Sequence, residues 1–258
     1  APTSSGYTAI FSNSRGFAAL KNDGTVISWG GTSAGDGILP AIAGFVDIAS
    51  TTKAFSALTG DGRIRSWGDT TTGGKDYPAT TGWKALYSNQ TAFAAINYQG
   101  SILTWGNSLA GGYVAPGGTL PATYTASPLS TELCYVSIAS TNTKIFSTER
   151  AFAAMKADGS IAVWGAAGAG GSTVQYTGIV LPPASTVTGF TSIYSTAAAF
   201  AAMKADGSIT VWGSCANGAA NGPAGTGYKA IAATYNAFAA LSATGSITVW
   251  GYSANGGT

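Results

Sequence analysis

The chain has 258 residues, 45 % of them apolar and 9 % charged, with a net charge of +2. That length supports a sizeable core, the small charge excludes the electrostatic footprint of a nucleic-acid binder, and no apolar run approaches the roughly 18–20 residues that cross a bilayer. Two cysteines and no histidine leave neither a disulfide framework nor an imidazole for acid–base or zinc chemistry.

The chain opens on Ala1-Pro-Thr-Ser-Ser, without Met, as a processed secreted protein would. The first predicted element is a strand A that follows Gly6-Tyr7. Strand B is Phe17-Ala-Ala-Leu20, the Asp23-Gly24 pair makes a hairpin turn, and strand C closes on Trp29-Gly30. The same order returns from Gly44-Phe45, Gly82-Trp83, Cys134-Tyr135, Gly189-Phe190 and Gly227-Tyr228. It closes each time on a Trp-Gly pair, at Trp67, Trp105, Trp164, Trp212 and Trp250. Asp61-Gly62, Asp158-Gly159 and Asp206-Gly207 repeat the hairpin signal, and Gly100 and Gly245 keep its glycine. The undisturbed period, Trp29 to Trp67 and Trp212 to Trp250, is 38 residues. A period of that size marks one supersecondary unit used many times.

Strands B and C are apolar on both faces. Phe152 and Ala154 point one way and Ala153 and Met155 the other. A lone three-stranded sheet cannot bury two such faces, whereas sheets stacked face to face around an axis can. The expectation is an all-β, six-bladed propeller forming a single domain over 1–258, with three to four short strands per blade. Its repeats are approximately 6–43, 44–81, 82–133, 134–188, 189–226 and 227–258. Pro40, Pro78 and Pro223 each stand four residues before a start glycine, and Pro2 stands likewise before Gly6. Residues 1–5 are therefore expected to complete the last blade as a clasp.

The pattern Phe-Ala-Ala-Leu/Met-Lys-x-Asp-Gly-x-Ile-x-x-Trp-Gly resembles the regulator-of-chromosome-condensation (RCC1-like) repeat. The compact period is similar to that of the secreted bacterial propellers that inhibit β-lactamases. The likeness covers nearly the whole chain and implies the fold. Both families have seven blades, against six repeats here, and neither offers a partner-binding motif that can be matched to residues of this sequence.

Departures from the repeat locate candidate contacts. Trp to the next strand-A Ile takes 19 residues in the regular case, but 33 from Trp105 to Ile138 and 29 from Trp164 to Ile193. The A–B turn from Ile138 to Phe152 is 14 residues against 7 elsewhere. All three enlargements should gather on one rim and supply Tyr113, Tyr124, Lys144, Phe146, Arg150 and Tyr176 as partner-binding residues. Arg15 and Lys53, placed like Arg150 two residues before a strand-B phenylalanine, would add positive charge there. Asn89-Gln-Thr91 is a glycosylation sequon in one of these turns, and Cys134 and Cys215 either bridge neighbouring loops or stay free.

Paired carboxylates, metal-ligand clusters, nucleophile elbows and phosphate loops are absent from the sequence. The expected function is non-catalytic and without cofactor: a secreted or surface-displayed module for protein–protein recognition in adhesion, attachment or assembly. A lectin that binds a surface glycan is one alternative. A structural subunit of an extracellular assembly, a homo-oligomer among them, is another.

Overall fold

A computed structural model describes residues 3–31, 43–75, 78–112, 143–174 and 176–258, and the backbone of 134–137. It divides into two compact units, Ala1–Thr141 and Asn142–Thr258. Each unit holds three antiparallel sheets.

In the first unit the sheets are β1 (Tyr7–Ser12), β2 (Gly16–Lys21) and β3 (Val26–Gly30), then β4 (Phe45–Ser50), β5 (Ala54–Thr59) and β6 (Ile64–Gly68), then β7 (Trp83–Ser88), β8 (Ala92–Asn97) and β9 (Ser101–Gly106). A further strand, β10 (Cys134–Ser137), lies antiparallel beside β9, Cys134 opposite Thr104. The second unit has β11 (Lys144–Ser147), β12 (Ala151–Met155) and β13 (Ile161–Gly165), then a sheet of β14 (Ile179–Val180), β15 (Phe190–Ser195), β16 (Ala199–Lys204) and β17 (Ile209–Ser214), and finally β18 (Tyr228–Ala233), β19 (Ala237–Ser242) and β20 (Ile247–Gly251). The three-strand A–B–C unit is thus the one the sequence predicts. A 3-10 turn follows the Trp-Gly pair at Thr70–Thr72, Ser108–Ala110, Ala167–Ala169, Cys215–Asn217 and Ser253–Asn255.

One boundary is corrected. Strand A of the fourth repeat is β11, with Ile145 seven residues before Phe152, and not the 134–141 segment that the start Cys134-Tyr135 suggests. The A–B turn there has its ordinary length, and the whole insertion precedes it, with 40 residues from Trp105 to Ile145. Residues 134–137 instead give the third sheet a fourth strand, which pairs the open edge of β9. Likewise β14, inside the third expected insertion, pairs the outer edge of β17.

Strand A carries a register shift after its first residue in five sheets, for example between Phe45 and Asp47. Strict alternation would put Phe45 and Ile48 on opposite faces, three residues apart. The bulge restores them to one face, and both are buried in one cluster with Phe55 and Trp67. The Gly-aromatic-x-x-Ile spacing of the sequence is the record of that bulge.

Two kinds of face result. On the large face the strand-B phenylalanine lies directly across from the strand-C tryptophan, their rings stacked 5.1–5.6 Å apart at 20–25° in all six sheets. The small face carries Ala, Ser, Leu, Met and Ile. Each small face covers the next large one within a unit: Ala18, Leu20 and Val26 pack on Phe45, Phe55 and Trp67, and Ala54, Leu58 and Ile64 on Trp83, Phe93 and Trp105. In the second unit Ala153, Met155 and Ile161 pack on Phe190, Phe200 and Trp212, and Ala199, Ala201 and Met203 on Ile231, Phe238 and Trp250. Trp83, the one tryptophan outside the Trp-Gly series, is core.

The hairpin turn of one sheet also seats the start of the next. Phe45 N–H donates to Gly24 O at 2.9 Å, Trp83 N–H to Gly62 O at 3.1 Å, and Gly227 N–H to Asp206 O at 2.8 Å. Gly24 has φ of 76°, and a Cβ there would stand 2.6 Å from Gly44 Cα, so both the turn geometry and the neighbouring backbone require glycine. At the N-terminus, Thr3–Ser5 are exposed and form no strand. Among the described residues the sixth sheet consists of β18, β19 and β20. Pro2 lies outside the described residues.

Candidate functional site

The A–B turns are built from a repeated hydrogen-bond device. The residue that ends strand A turns its side chain back into the sheet: Thr51 Oγ1 accepts from Ala54 N–H at 3.0 Å and donates to Thr72 O at 3.0 Å. Thr148, Thr196 and Thr234 likewise reach Ala169 O, Asn217 O and Asn255 O at 2.8–3.1 Å. Each bond anchors a carbonyl of the 3-10 turn that follows strand C, one of the orphans a helix end leaves. Asn89 does the same with an amide, donating to Ala110 O at 2.7 Å and accepting from Ala92 N–H at 2.8 Å. Its side chain is 7 % exposed and its nitrogen is committed, whereas a glycan needs that nitrogen in solvent. Asn89 of the sequon thus serves as a structural cap.

The turns are also tied to one another within each unit. Ser14 N–H donates to Thr52 O at 3.1 Å and Thr52 N–H to Gln90 O at 2.8 Å; in the second unit Glu149 N–H donates to Ala197 O and Ala197 N–H to Tyr235 O. Hydroxyls reinforce the row, Thr52 to Gln90 O at 2.8 Å and Ser195 to Ser147 O at 2.7 Å. One residue further on, the carbonyls of Arg15, Lys53, Thr91, Arg150 and Asn236 accept from the residue after each Trp-Gly pair. The side chains at these positions therefore stand on backbone fixed from two sides.

The predicted contact residues divide. Arg15 and Arg150 are exposed and Lys53 half-buried, all on A–B turns. Arg15 and Lys53 converge on Asp69 at the start of a 3-10 turn. The Thr71 hydroxyl, and after it the Thr71 N–H, Lys53 and Arg15, hold the Asp69 carboxyl below the ordinary range against the opposing effect of burial. The basic rim is thus partly offset where its cations meet. Lys144 is exposed at the start of β11, while Phe146 is half-buried and packs against the core of the second unit. Tyr176 is exposed beside Val174, ahead of β14. Tyr113 and Tyr124 lie outside the described residues. Cys215 begins a 3-10 turn and is free, and the side chain of Cys134 lies outside the described residues.

Two aromatic residues join the site that the spacing arguments pass over. Tyr235 occupies the middle of the last A–B turn, where Ser14, Thr52, Gln90, Glu149 and Ala197 stand in the other repeats, and is 60 % exposed. Its hydroxyl bonds Glu149, which together with that carboxylate's charge raises the tyrosine pKa. Tyr252, exposed, follows Trp250-Gly251 and donates its N–H to Asn236 O at 3.0 Å. Asn236 is itself held between Asn217 and Asn255 by side-chain amide bonds. Both tyrosines were legible as breaks in position-specific composition. In chemical terms the second unit thus presents phenol, guanidinium, carboxylate and amide groups on a rigid turn surface, the composition of a recognition surface.

No protein-family model and no curated protein matches the sequence. Solved structures do. Human WBSCR16 superposes with a TM-score of 0.53 at 16 % identity over 82 % of this chain and 62 % of its own. Yeast RCC1 (Prp20), solved bound to Kap60, gives 0.52 at 16 % identity over 96 % of this chain and 70 % of its own. The ectodomain of the Physcomitrella patens receptor kinase CR4 gives 0.53 at 17 % identity over 96 % and 65 %. The chain spans about two thirds of the length of these neighbours. It has an RCC1-like β-propeller fold, the regulator-of-chromosome-condensation half of the resemblance read from its repeats.

Proposed function

We propose that this chain is a six-bladed, non-catalytic binding module, secreted or surface-displayed, that recognises another protein through its A–B turns and the 3-10 turns beside them. The observation that carries the reading is the rigid turn surface of the second unit. There Tyr235, Tyr252 and Arg150 project from backbone locked by Glu149–Ala197–Tyr235 bonds and by the carbonyls of Arg150 and Asn236. Preformed backbone with aromatic and arginine side chains is what concentrates binding energy in protein interfaces. Prp20, of similar fold, is described as binding Gsp1p and histones, which supports a protein as the class of partner. Lys144 and Tyr176 are further contact candidates on the second unit, Arg15 and Lys53 are candidates on the turns of the first, and Tyr113 and Tyr124 stay candidates from the sequence alone.

The test is a protein array and a glycan array probed in parallel with the labelled chain. A protein ligand should be retained by Asp158→Asn and Asp206→Asn at the hairpin turns. It should lose about 2 kcal/mol or more of binding on Tyr235→Ala or Tyr252→Ala, with melting temperatures unchanged. Binding confined to glycans would establish the lectin alternative, and loss on the hairpin variants alone would show that the wrong turns were chosen.

A further inference from the structure

Tyr235 and Glu149 are joined across an intervening turn. Backbone bonds order the A–B turns of the second unit, Glu149 N–H donating to Ala197 O at 3.0 Å and Ala197 N–H to Tyr235 O at 2.9 Å. The Tyr235 hydroxyl bonds the Glu149 carboxylate, so the phenol side chain runs from the sixth repeat over the fifth to reach the fourth. The crossing needs a small residue beneath it. The other repeats carry Ser14, Thr52, Gln90, Glu149 and Tyr235 at this turn position, and a side chain as long as glutamine at 197 would stand in the phenol's path. Ala197 is 9 % exposed, whereas Ser14 and Gln90 are open to solvent.

Both neighbours of Tyr235 are fixed. Thr234 Oγ1 accepts from Ala237 N–H at 3.1 Å and donates to Asn255 O at 3.0 Å, and the Asn236 amide is held by Asn217 and Asn255. With the hydroxyl anchored as well, the ring has little freedom left to lose on binding, yet Tyr235 stays 60 % exposed. Its carboxylate partner lacks a cation. Lys144, Arg150, Lys156, Lys204 and Lys229 are the cations of the second unit and all lie among the described residues. None of them pairs with Glu149, which is half-buried against a neutral phenol. Arg150, its chain neighbour, turns its carbonyl to Ala166 N–H at 2.9 Å. The face of an aromatic ring is negative, so ring and carboxylate attract the same positive group.

We propose that Tyr235 and Glu149 together receive an arginine side chain of the partner protein, its guanidinium lying on the phenol ring and donating to the Glu149 carboxylate. A guanidinium suits this pair better than an ammonium, because its plane stacks on the ring while its edge forks onto the carboxylate. Ala197 is then a positioning residue, which lets the ring lie across the turn. The inference rests on the recognition surface proposed above and names the partner group that its second-unit turns take.

NMR titration of the full chain with Nα-acetyl-arginine amide, and with its neutral counterpart Nα-acetyl-citrulline amide, tests it at the Tyr235 ring and the Ala197 amide. The arginine probe should shift both signals saturably, and the citrulline probe should bind at least about tenfold more weakly. Tyr235→Ala and Glu149→Gln should each lose the arginine response with melting temperature unchanged, while Asp158→Asn keeps it. Ala197→Gln retains both binding groups, yet it should weaken the arginine probe and return the raised Tyr235 hydroxyl toward its ordinary pKa of 10.0. No saturable shift, equal binding of the two probes, or full binding by Tyr235→Ala or Ala197→Gln would overturn the proposal. A protein ligand that depends on Tyr235, beside an arginine probe that does not bind, would sink this inference and leave the recognition reading intact. Arginine binding without any protein ligand would support the site and count against that reading.

Discussion

Trp212 and Phe200 put an indole and a phenyl ring in a stack 5.1 Å apart with neither exposed to solvent. Trp212→Ala should cost roughly 3–5 kcal/mol in urea denaturation, and Trp29→Ala clearly less, since Trp29 already shares its surface with water. The buried threonine caps make a smaller, cleaner prediction. Thr196→Val keeps the shape but orphans Asn217 O and Ala199 N–H, a loss of about 1–3 kcal/mol. The hairpin aspartates set the acid response. Asp158 and Asp206 accept first from the backbone N–H and then from the hydroxyl of Ser160 and Ser208, and Lys156 and Lys204 add smaller attractions, so their carboxyls titrate below the ordinary 3.8 despite the opposing pull of desolvation. A carboxylate depressed on folding contributes stability that is full above its unfolded pKa and is lost as pH falls through the lower folded one. Melting temperature should therefore drop as pH falls below that value, and Asp158→Asn with Asp206→Asn should flatten the drop.

At the scale of elements, strands B and C, their two apolar faces and the hairpin glycines were readable because each depends on residues near in sequence. The fourth repeat was misread because Cys134-Tyr135-Val-Ser-Ile138 mimics a strand-A start, and composition cannot separate a blade's first strand from an added outer one. The interval could have separated them: Ile145 to Phe152 is the regular seven residues, as Ile48 to Phe55 is. The bulge was hidden for a different reason, since a register shift is a property of paired strands. Sheet-to-sheet seating predicts a contrast between two glycines with like φ values. Gly245→Ala should cost only the left-handed strain, about 1–2 kcal/mol, because its Cβ meets nothing. Gly207→Ala should cost more, because its Cβ would collide with the backbone of Gly227 and Tyr228. Paired thermal melts decide this.

For the whole molecule, the repeat established an RCC1-like architecture, while the contact surface was only partly legible. Arg15, Lys53 and Arg150 follow from position in the turn. Phe146 lies half-buried against the core and Asn89 caps a turn, because both positions depend on the sheet behind them. Tyr235 and Tyr252 emerged once the turns were seen as locked backbone. The same stacking that buries the tryptophan–phenylalanine pairs of the second, third, fifth and sixth sheets leaves that of the first sheet partly open, and this is the account's central claim. Hydroxyl-radical footprinting of the wild type, read residue by residue at high dilution, tests it most directly. Phe17, Trp29, Ile10 and Ile247 should oxidise readily, while Phe55, Trp67, Phe93, Trp105, Phe200, Trp212, Phe238 and Trp250 stay protected. Protection of Phe17 and Trp29 equal to that of the interior pairs, or oxidation spread evenly over all six pairs, would contradict it.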